Sequence, residues 1–350
     1  MNNYFNNLNQ TIKQYFNILC DEIPEFLYDY ISTPEMQRIG KIGCACGTDY
    51  TKIFNNRFFY SNLEHSIGVA LIIWNFTKDR KQTLAGLFHD IATPVFKHTI
   101  DFMNGDHETQ ESTEELTTYM IKNSKEIMQL LERDNIKVEE VDDYHIYPIA
   151  DNDTPKLSAD RLEYTLSGGL YFNDIWDLEK IKEIYAQIEI QEDENGICEL
   201  GFKDQRIAED FVSGASRLWP IWISNQAKLT MQFVADVVKK MSDKSLLTKN
   251  DLYTLSEQEV IDKIENCKDK NISECFKLFR NTTQINESDV PVLDKYCINV
   301  KSKRRYIIPL ANNNGAYERI SNFSVLAKDK IDNYLNWEAK KYAYLDFDFR

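Results

Sequence analysis

Apolar residues recur along this chain mostly at helical spacing. Over 9–31 they fall at Ile12, Tyr15, Phe16 and Leu19, the i, i+3, i+4, i+7 stripe of an amphipathic helix. Thr33-Pro34 predicts a new helix start, since Thr suits a cap and Pro suits a first turn. The stretch 64–76 is dense enough in apolar residues to be a buried helix. A second apolar helix, 81–91, ends at the pair His89-Asp90, and Pro94 marks the exit. Over 109–132 the charges take one face, and Leu116, Met120, Ile127, Leu130 and Leu131 take the other. Pro155 precedes a further helix, and more helices are predicted over 204–219 and 224–241. Ser256-Glu257-Gln258-Glu259 has the form of a capping box before another.

Two stretches change period. Over 187–202, Ile188-Glu189-Ile190 and Ile197-Cys198-Glu199-Leu200 alternate around Asp193-Glu194-Asn195-Gly196, which predicts a β-hairpin. Over 296–310, Ile298, Val300, Tyr306 and Ile308 form a second strand candidate. The expected fold class is mainly α, with a small mid-chain β-hairpin and a mixed α+β C-terminal part. The expected division is a helical core over 1–220, with an α+β region over 221–350 packed on it. The aromatic segment Leu218-Trp219-Pro220-Ile221-Trp222-Ile223 reads as core or subunit interface. The ending Tyr342-Ala343-Tyr344-Leu345-Asp346-Phe347-Asp348-Phe349 reads as docking on the body or on a partner subunit.

Composition narrows the function classes. The 350 residues carry 41 basic and 56 acidic side chains, a net charge of -15, which disfavours nucleic acid and anionic membranes as partners. A chain this acidic that handles phosphates must gather positive charge locally. The longest apolar run, 67–76, is too short to span a bilayer, so no membrane role is expected. Seven cysteines, without paired spacing, and an N-terminus that lacks a basic and apolar leader together predict reduced thiols and a cytoplasmic location. Cys44-Ala45-Cys46 reads as small residues packed in a turn. The run Lys301-Ser302-Lys303-Arg304-Arg305 reads most simply as a charged edge strand; its functional alternative is a phosphate contact.

The chemistry concentrates in one window. Four of the five histidines, His65, His89, His98 and His107, lie between 65 and 107. His89 is followed directly by Asp90 at the end of an apolar helix, where such a pair is costly unless partnered or bound to metal. With His65 and Asp160 it makes a mixed N/O set suited to a divalent ion with open positions, of the kind Mn, Mg, Fe, Co, Ni or Zn. Such an ion would polarise a phosphate oxygen and activate water. His107 is the expected general acid, with Asp101 orienting its ring.

These residues, in this order, resemble the HD-domain phosphohydrolases, and within them the deoxynucleotide triphosphohydrolase branch. Ile31-Ser32-Thr33-Pro34-Glu35-Met36-Gln37-Arg38-Ile39, Glu64-His65-Ser66-Ile67-Gly68-Val69-Ala70, the run from His89 to Asp101, His107-Glu108 and Ala159-Asp160-Arg161-Leu162-Glu163-Tyr164 carry the likeness. It is specific over about 25–170 and weaker to the C-terminus, where 300–310 is similar to the branch's tail. The resemblance implies a helical HD core, metal ligation by His65, His89, Asp90 and Asp160, and catalytic roles for His107 and Asp101. Arg161 and Tyr164 match positions that contact substrate phosphate. A homo-oligomer is implied as well.

The chain also departs from the branch. Thr93 stands where a second histidine is usual and Ala92 where a glycine is. Asn62 replaces a phosphate-binding arginine, and Cys44 falls at or near a sugar-reading glutamine. The metal set is intact while the substrate set is altered. Lys97 or Arg57 is the expected replacement for the arginine, and Lys97 and His98 join Arg161 and Tyr164 as expected substrate contacts. The resulting expectation is a metal-dependent phosphohydrolase acting on a nucleotide or a related small phosphate ester. A degenerate nucleotide sensor without turnover and a phosphomonoesterase for a smaller substrate are its alternatives.

Overall fold

The computed structural model describes residues 3–54, 56–108, 116–171 and 175–349. The chain opens with α1 (Asn3–Asn7), α2 (Gln10–Leu19), α3 (Glu25–Ile31) and α4 (Pro34–Ile39). The single helix predicted over 9–31 is thus two. Pro24 sits in an extended conformation immediately before α3, and proline disfavours helical geometry in the residue before it, so the chain cannot run through as one helix. Thr33 precedes α4 as expected, but its hydroxyl donates to the Tyr30 carbonyl at 2.7 Å instead of capping.

Two helices build the centre. α5 (Asn62–Thr77) starts at a Ser61/Glu64 capping box and is buried on all sides from Asn62 to Ile73. α6 (Arg80–Phe88), capped by Asp79, packs against it. Gly86 permits the approach: a Cβ there would lie 2.3 Å from Ile73 Cδ1. After α7 (Thr99–Met103), part of the helix predicted over 109–132, residues 109–115, lies outside the described residues. The remainder is α8 (Thr117–Asn123) and α9 (Lys125–Arg133), divided at Ser124, whose hydroxyl caps α9 by accepting from the Ile127 N–H. α10 (Ala159–Tyr171) packs across α5, and α11 (Leu178–Tyr185) leads to the predicted hairpin. Its strands β1 (Ile188–Glu192) and β2 (Cys198–Phe202) pair antiparallel from Ile188↔Phe202 to Glu192↔Cys198.

Helices then resume with α12 (Gln205–Trp222), α13 (Asn225–Asp243), α14 (Lys249–Thr254), α15 (Glu257–Glu265) behind its Ser256 capping box, and α16 (Lys270–Asn281). The C-terminal part holds β3 (Asn286–Ser288), β4 (Cys297–Ile298), β5 (Leu310–Asn313), β6 (Ala316–Arg319), α17 (Val325–Leu335) and β7 (Tyr342–Tyr344). One sheet runs β1-β2-β5-β6, with β5 parallel to β2; the other runs β3-β7-β4. The C-terminal tail docks on the body through β7 and through buried Leu345 and Phe349.

The strand expected over 296–310 is mostly not one. Only Cys297–Ile298 pairs at its start, and 299–309 is irregular up to β5. Pro309 offers no N–H to a ladder. Arg304 is spent on a helix end, its guanidinium donating to the carbonyls of Tyr334 and Leu335 in the last turn of α17 and of Trp337 just beyond it. The basic run is therefore not an edge strand.

The chain is mainly helical with small sheets, as the patterning predicts. Two main hydrophobic clusters exchange segments. The larger spans Ile12 to Ile223 and takes in Ile307, Ala311, Ile320, Ala327, Ile331 and Tyr334. The other joins Val95, Phe96 and Ile100 to α13, α15, α16 and the C-terminal tail. The segment between α6 and α7 is thereby clamped by the C-terminal part. No helix among the described residues is long and apolar enough to cross a membrane.

Candidate metal centre

α5, the end of α6 and α10 bring His65, His89, Asp90 and Asp160 to one point. The two imidazole Nε2 atoms stand 3.2 Å apart. Asp160 Oδ1 is 3.1 Å from His65 Nε2 and 3.8 Å from His89 Nε2. Asp90 Oδ2 is 3.4 Å from His89 Nε2 and 3.7 Å from His65 Nε2. Among the described residues, one group of His, Cys, Asp or Glu donors is compact enough to hold a metal ion, namely His65, His89 and Asp160.

The hydrogen bonds behind the rings decide what the front can do. His65 Nδ1 pairs with Glu163 Oε2, and His89 Nδ1 donates to the Gly86 carbonyl at 2.7 Å. Both neutral rings therefore carry hydrogen on Nδ1 and present an Nε2 lone pair. Two Nε2 atoms at 3.2 Å, with two carboxylates beside them, call for positive charge among them, which a proton on His65 supplies toward Asp160 at 3.1 Å and a divalent ion would supply to all four groups. The donor set fits a divalent ion on these residues. The carboxylates also make the rings basic. Burial lowers His65, but Glu163 and Asp160 outweigh it and carry it up to about 9. Burial likewise lowers His89 and Asp90 overcomes it. Burial works against the Asp90 and Asp160 anions, yet Lys97 and His89 hold Asp90 well below its ordinary range, and His65 and His89 hold Asp160 below its own.

Glu163 is the residue that sequence reasoning passed over. Fully buried on α10, it takes His65 Nδ1 and accepts the hydroxyls of Tyr60 at 2.6 Å and Tyr15 at 3.2 Å. Gly68 makes room for it, since a Cβ at that position would lie 2.7 Å from Glu163 Cγ. The available signal was the i, i+3 spacing of Asp160 and Glu163, one turn apart on a mostly buried helix. An acidic partner behind a ligating histidine fixes its tautomer and raises its basicity. Glu163→Gln is expected to lower affinity for a divalent ion by about 10- to 100-fold, read by competition with a chromophoric chelator. An unchanged affinity would remove Glu163 from the centre.

The centre opens into a cavity of about 810 Å³. Lys97, His98, Arg161, Tyr164, Lys303 and Arg305 line it, so the locally gathered positive charge that an acidic phosphate-handling chain needs is present. Two of these come from the basic run read as an edge strand. Cys44, Phe54, Tyr171, Trp222 and Met231 also line it. Trp219 is core as expected, but Trp222 faces the cavity with its ring 5.4 Å from that of Tyr164. The Tyr164 hydroxyl bonds no side chain among the described residues. Arg161 is more committed: its guanidinium holds Asp151 at 3.0 Å, Asn152 Oδ1 at 2.7 Å and the Lys156 carbonyl at 2.7 Å.

Of the two replacements expected for the arginine, Lys97 is the one that lines the cavity. Its Nζ donates to Asn62 Oδ1 at 2.9 Å and to Asp90 Oδ2 at 2.7 Å. Arg57 instead reaches the Leu170 carbonyl, at 3.4 Å, and does not line the cavity.

The expected pairing of Asp101 with His107 is corrected. Buried Asp101 Oδ2 meets His98 Nδ1 at 3.0 Å, whereas His107 Nε2 meets Gln232 Oε1 at 3.1 Å and does not line the cavity. His98 and Asp101 sit at i, i+3 on α7 and its cap, which brings their side chains together. Arg305 Nη2 lies 3.3 Å from His98 Nε2. The ring thus has a carboxylate behind it and the Arg305 guanidinium in front, at the cavity wall. Burial lowers its basicity; Asp101 opposes this, Arg305 and Lys97 reinforce it, and the net is a value below the ordinary 6.5.

Residues 62–158, ending just short of Asp160, match the family model of the HD domain. Among particular proteins, the chain is similar to YdhJ, an uncharacterized protein of Bacillus subtilis, at 22% identity over 266 residues, 73% of this chain and 76% of that one. Its fold is similar to that of a phosphohydrolase from Bacteroides thetaiotaomicron, with TM-score 0.62, 15% identity, and coverage of 92% of this chain and 96% of that one. A hypothetical protein from Aquifex aeolicus is alike to the same degree, with TM-score 0.61, 16% identity and 93% of each chain covered. At these identities the structural likeness is one of fold.

Proposed function

We propose that this protein is a metal-dependent phosphohydrolase acting on a nucleotide or a related small phosphate ester. The observation that carries the reading is the pair of imidazole Nε2 atoms, 3.2 Å apart beside Asp90 and Asp160, in a cavity with cationic side chains on its walls. The HD domain match and the fold likeness to a protein named as a phosphohydrolase support it. His65, His89 and Asp160, with Asp90, would hold the ion. When bound, such an ion supplies Lewis acidity toward a phosphate oxygen and brings the pKa of water toward neutrality.

The chain's own residues do the rest. Lys97, Arg305 and Lys303 offer positive charge to phosphate oxygens. Tyr164 and Trp222 present aromatic surface and a hydroxyl to the organic part of the substrate. His98 moves the proton: oriented by Asp101, its Nε2 can take a proton from water and return it to the departing oxygen once Arg305, which donates to that nitrogen here, turns to a substrate phosphate. On this reading proton transfer belongs to His98, in preference to His107.

The test is product analysis with the metal-reconstituted protein on dNTPs, NTPs, nucleoside monophosphates and an aryl phosphate. Triphosphate release from dNTPs places the substrate in the deoxynucleotide triphosphohydrolase class. Cleavage of monoesters alone moves it to a smaller substrate. Metal-dependent turnover on none of them, with nucleotide binding retained, replaces the enzyme reading with a sensor.

A further inference from the structure

Resting on the metal-site reading above, we propose that the Lys97 ammonium stands in for a second metal ion, so that the centre binds one divalent ion per chain and Lys97 supplies the other positive charge against a substrate phosphate. Two-ion phosphohydrolase centres set cations some 3.5–4 Å apart about shared oxygens. Here a single oxygen, Asp90 Oδ2, has the two imidazole Nε2 atoms at 3.4 and 3.7 Å and Lys97 Nζ at 2.7 Å. It is placed as a bridging carboxylate oxygen would be, with an ammonium where the second ion would sit.

The surroundings of Lys97 suit a lysine better than a metal. Beyond Asp90 its polar neighbour is the Asn62 amide oxygen, at 2.9 Å. No second compact donor group exists among the described residues. An ammonium has three protons, and two are used on Asp90 and Asn62. Lys97 lines the cavity with its side chain 14% exposed, so the third proton is left for a phosphate oxygen.

The backbone is built to put that ammonium there. Phe96 and Lys97 adopt left-handed conformations in succession, at φ 62 and 46, which side-chain-bearing residues take up infrequently. The contact that holds them comes from the C-terminal part. Buried Glu257, at the start of α15, accepts the Phe96 N–H at 3.0 Å, and its other oxygen accepts the Gly43 N–H at 3.0 Å and the Tyr50 hydroxyl at 2.7 Å. The Phe96 ring is buried in the second hydrophobic cluster. A corner held this firmly, from 161 residues away, has its evident purpose in aiming Lys97.

The experiment combines metal stoichiometry with anion binding. Metal-free protein is titrated with Mn²⁺ in a calorimeter and its metal content is checked by mass spectrometry. The Mn²⁺-loaded protein is then titrated with inorganic pyrophosphate. The expected result is one Mn²⁺ per chain for wild type and for Lys97→Met, with pyrophosphate affinity lower by about 10- to 100-fold in Lys97→Met. Lys97→Arg, which keeps the cation, is expected to restore most of that affinity. Two ions per wild-type chain, or unchanged pyrophosphate affinity in Lys97→Met, would overturn the proposal alone. Uptake of no Mn²⁺, Co²⁺ or Ni²⁺ by wild type would overturn the metal-site reading and this inference with it. The stoichiometry arm needs no variant, so it decides even where a substitution impairs folding.

Discussion

Asp160→Ala is expected to leave the protein folded but without bound metal and without phosphate-ester turnover. His89→Ala is expected to do the same. Removing a partner behind a ligand costs about 10- to 100-fold in metal affinity, so removing a ligand costs more than that. The remaining groups also turn against one another. Without Asp160, the two buried imidazoles face each other at 3.2 Å with one fewer carboxylate to offset an ion's charge. Atomic absorption on the purified variants and phosphate release on the best wild-type substrate check this together. A variant that keeps its metal and its rate would dismantle the centre as described.

His98→Ala is expected to separate chemistry from metal binding. Metal content should match wild type, because His98 contacts none of the four converging residues. Turnover should fall by about 10²- to 10⁴-fold, the usual worth of a positioned acid or base. The pH profile carries the sign. His98 must be unprotonated to accept a proton, and burial together with Arg305 and Lys97 outweighs Asp101 and keeps its pKa below 6.5. Wild-type kcat should therefore hold through neutral pH and fall as pH drops through a limb below 6.5. That limb should vanish in His98→Ala. Asp101→Asn should keep a weakened activity, since the amide still orients the ring but cannot stabilise the imidazolium. The same experiment on His107→Ala distinguishes the two histidines: its ring, engaged with Gln232 outside the cavity, predicts a change of only a few-fold.

Much of this centre was legible in the sequence because metal chemistry leaves few substitutes. His65, His89, Asp90 and Asp160 are costly in apolar helices without a shared purpose, and the fold brings all four to one point. What sequence could not rank were partners. Asp101 lies six residues from His107 and three from His98, and the sequence reading put it behind His107. The i, i+3 geometry at the start of α7 chose His98. Glu163 was visible in the same string as Asp160, but only the burial of α10 makes its carboxylate need a partner. Glu257 was read as part of a capping box, and the box is real, yet its carboxylate serves Phe96, Gly43 and Tyr50 through contacts as far as 214 residues along the chain. No local pattern encodes that.

The errors of fold have local causes. Pro24 and Ser124 divide helices that apolar periodicity alone would run together, because periodicity records a buried face and not the continuity of the backbone. The segment 299–309 alternates like a strand but has no strand to pair with; Arg304 and Arg305 are used on a helix end and on the cavity. The basic run that looked like protection for a sheet edge became part of the wall of the site.

The central claim is that an ion on His65, His89, Asp90 and Asp160 enables hydrolysis of a phosphate ester. Its most direct test is to strip the protein with chelator, return Mn²⁺ in sub-stoichiometric steps, and measure both bound metal and phosphate-ester turnover at each step. Turnover should rise from background in proportion to bound metal, level off when the centre is filled, and stay at background throughout in Asp160→Ala. Full turnover in the stripped protein, or metal uptake that brings no turnover on any phosphate ester in the panel, would contradict it.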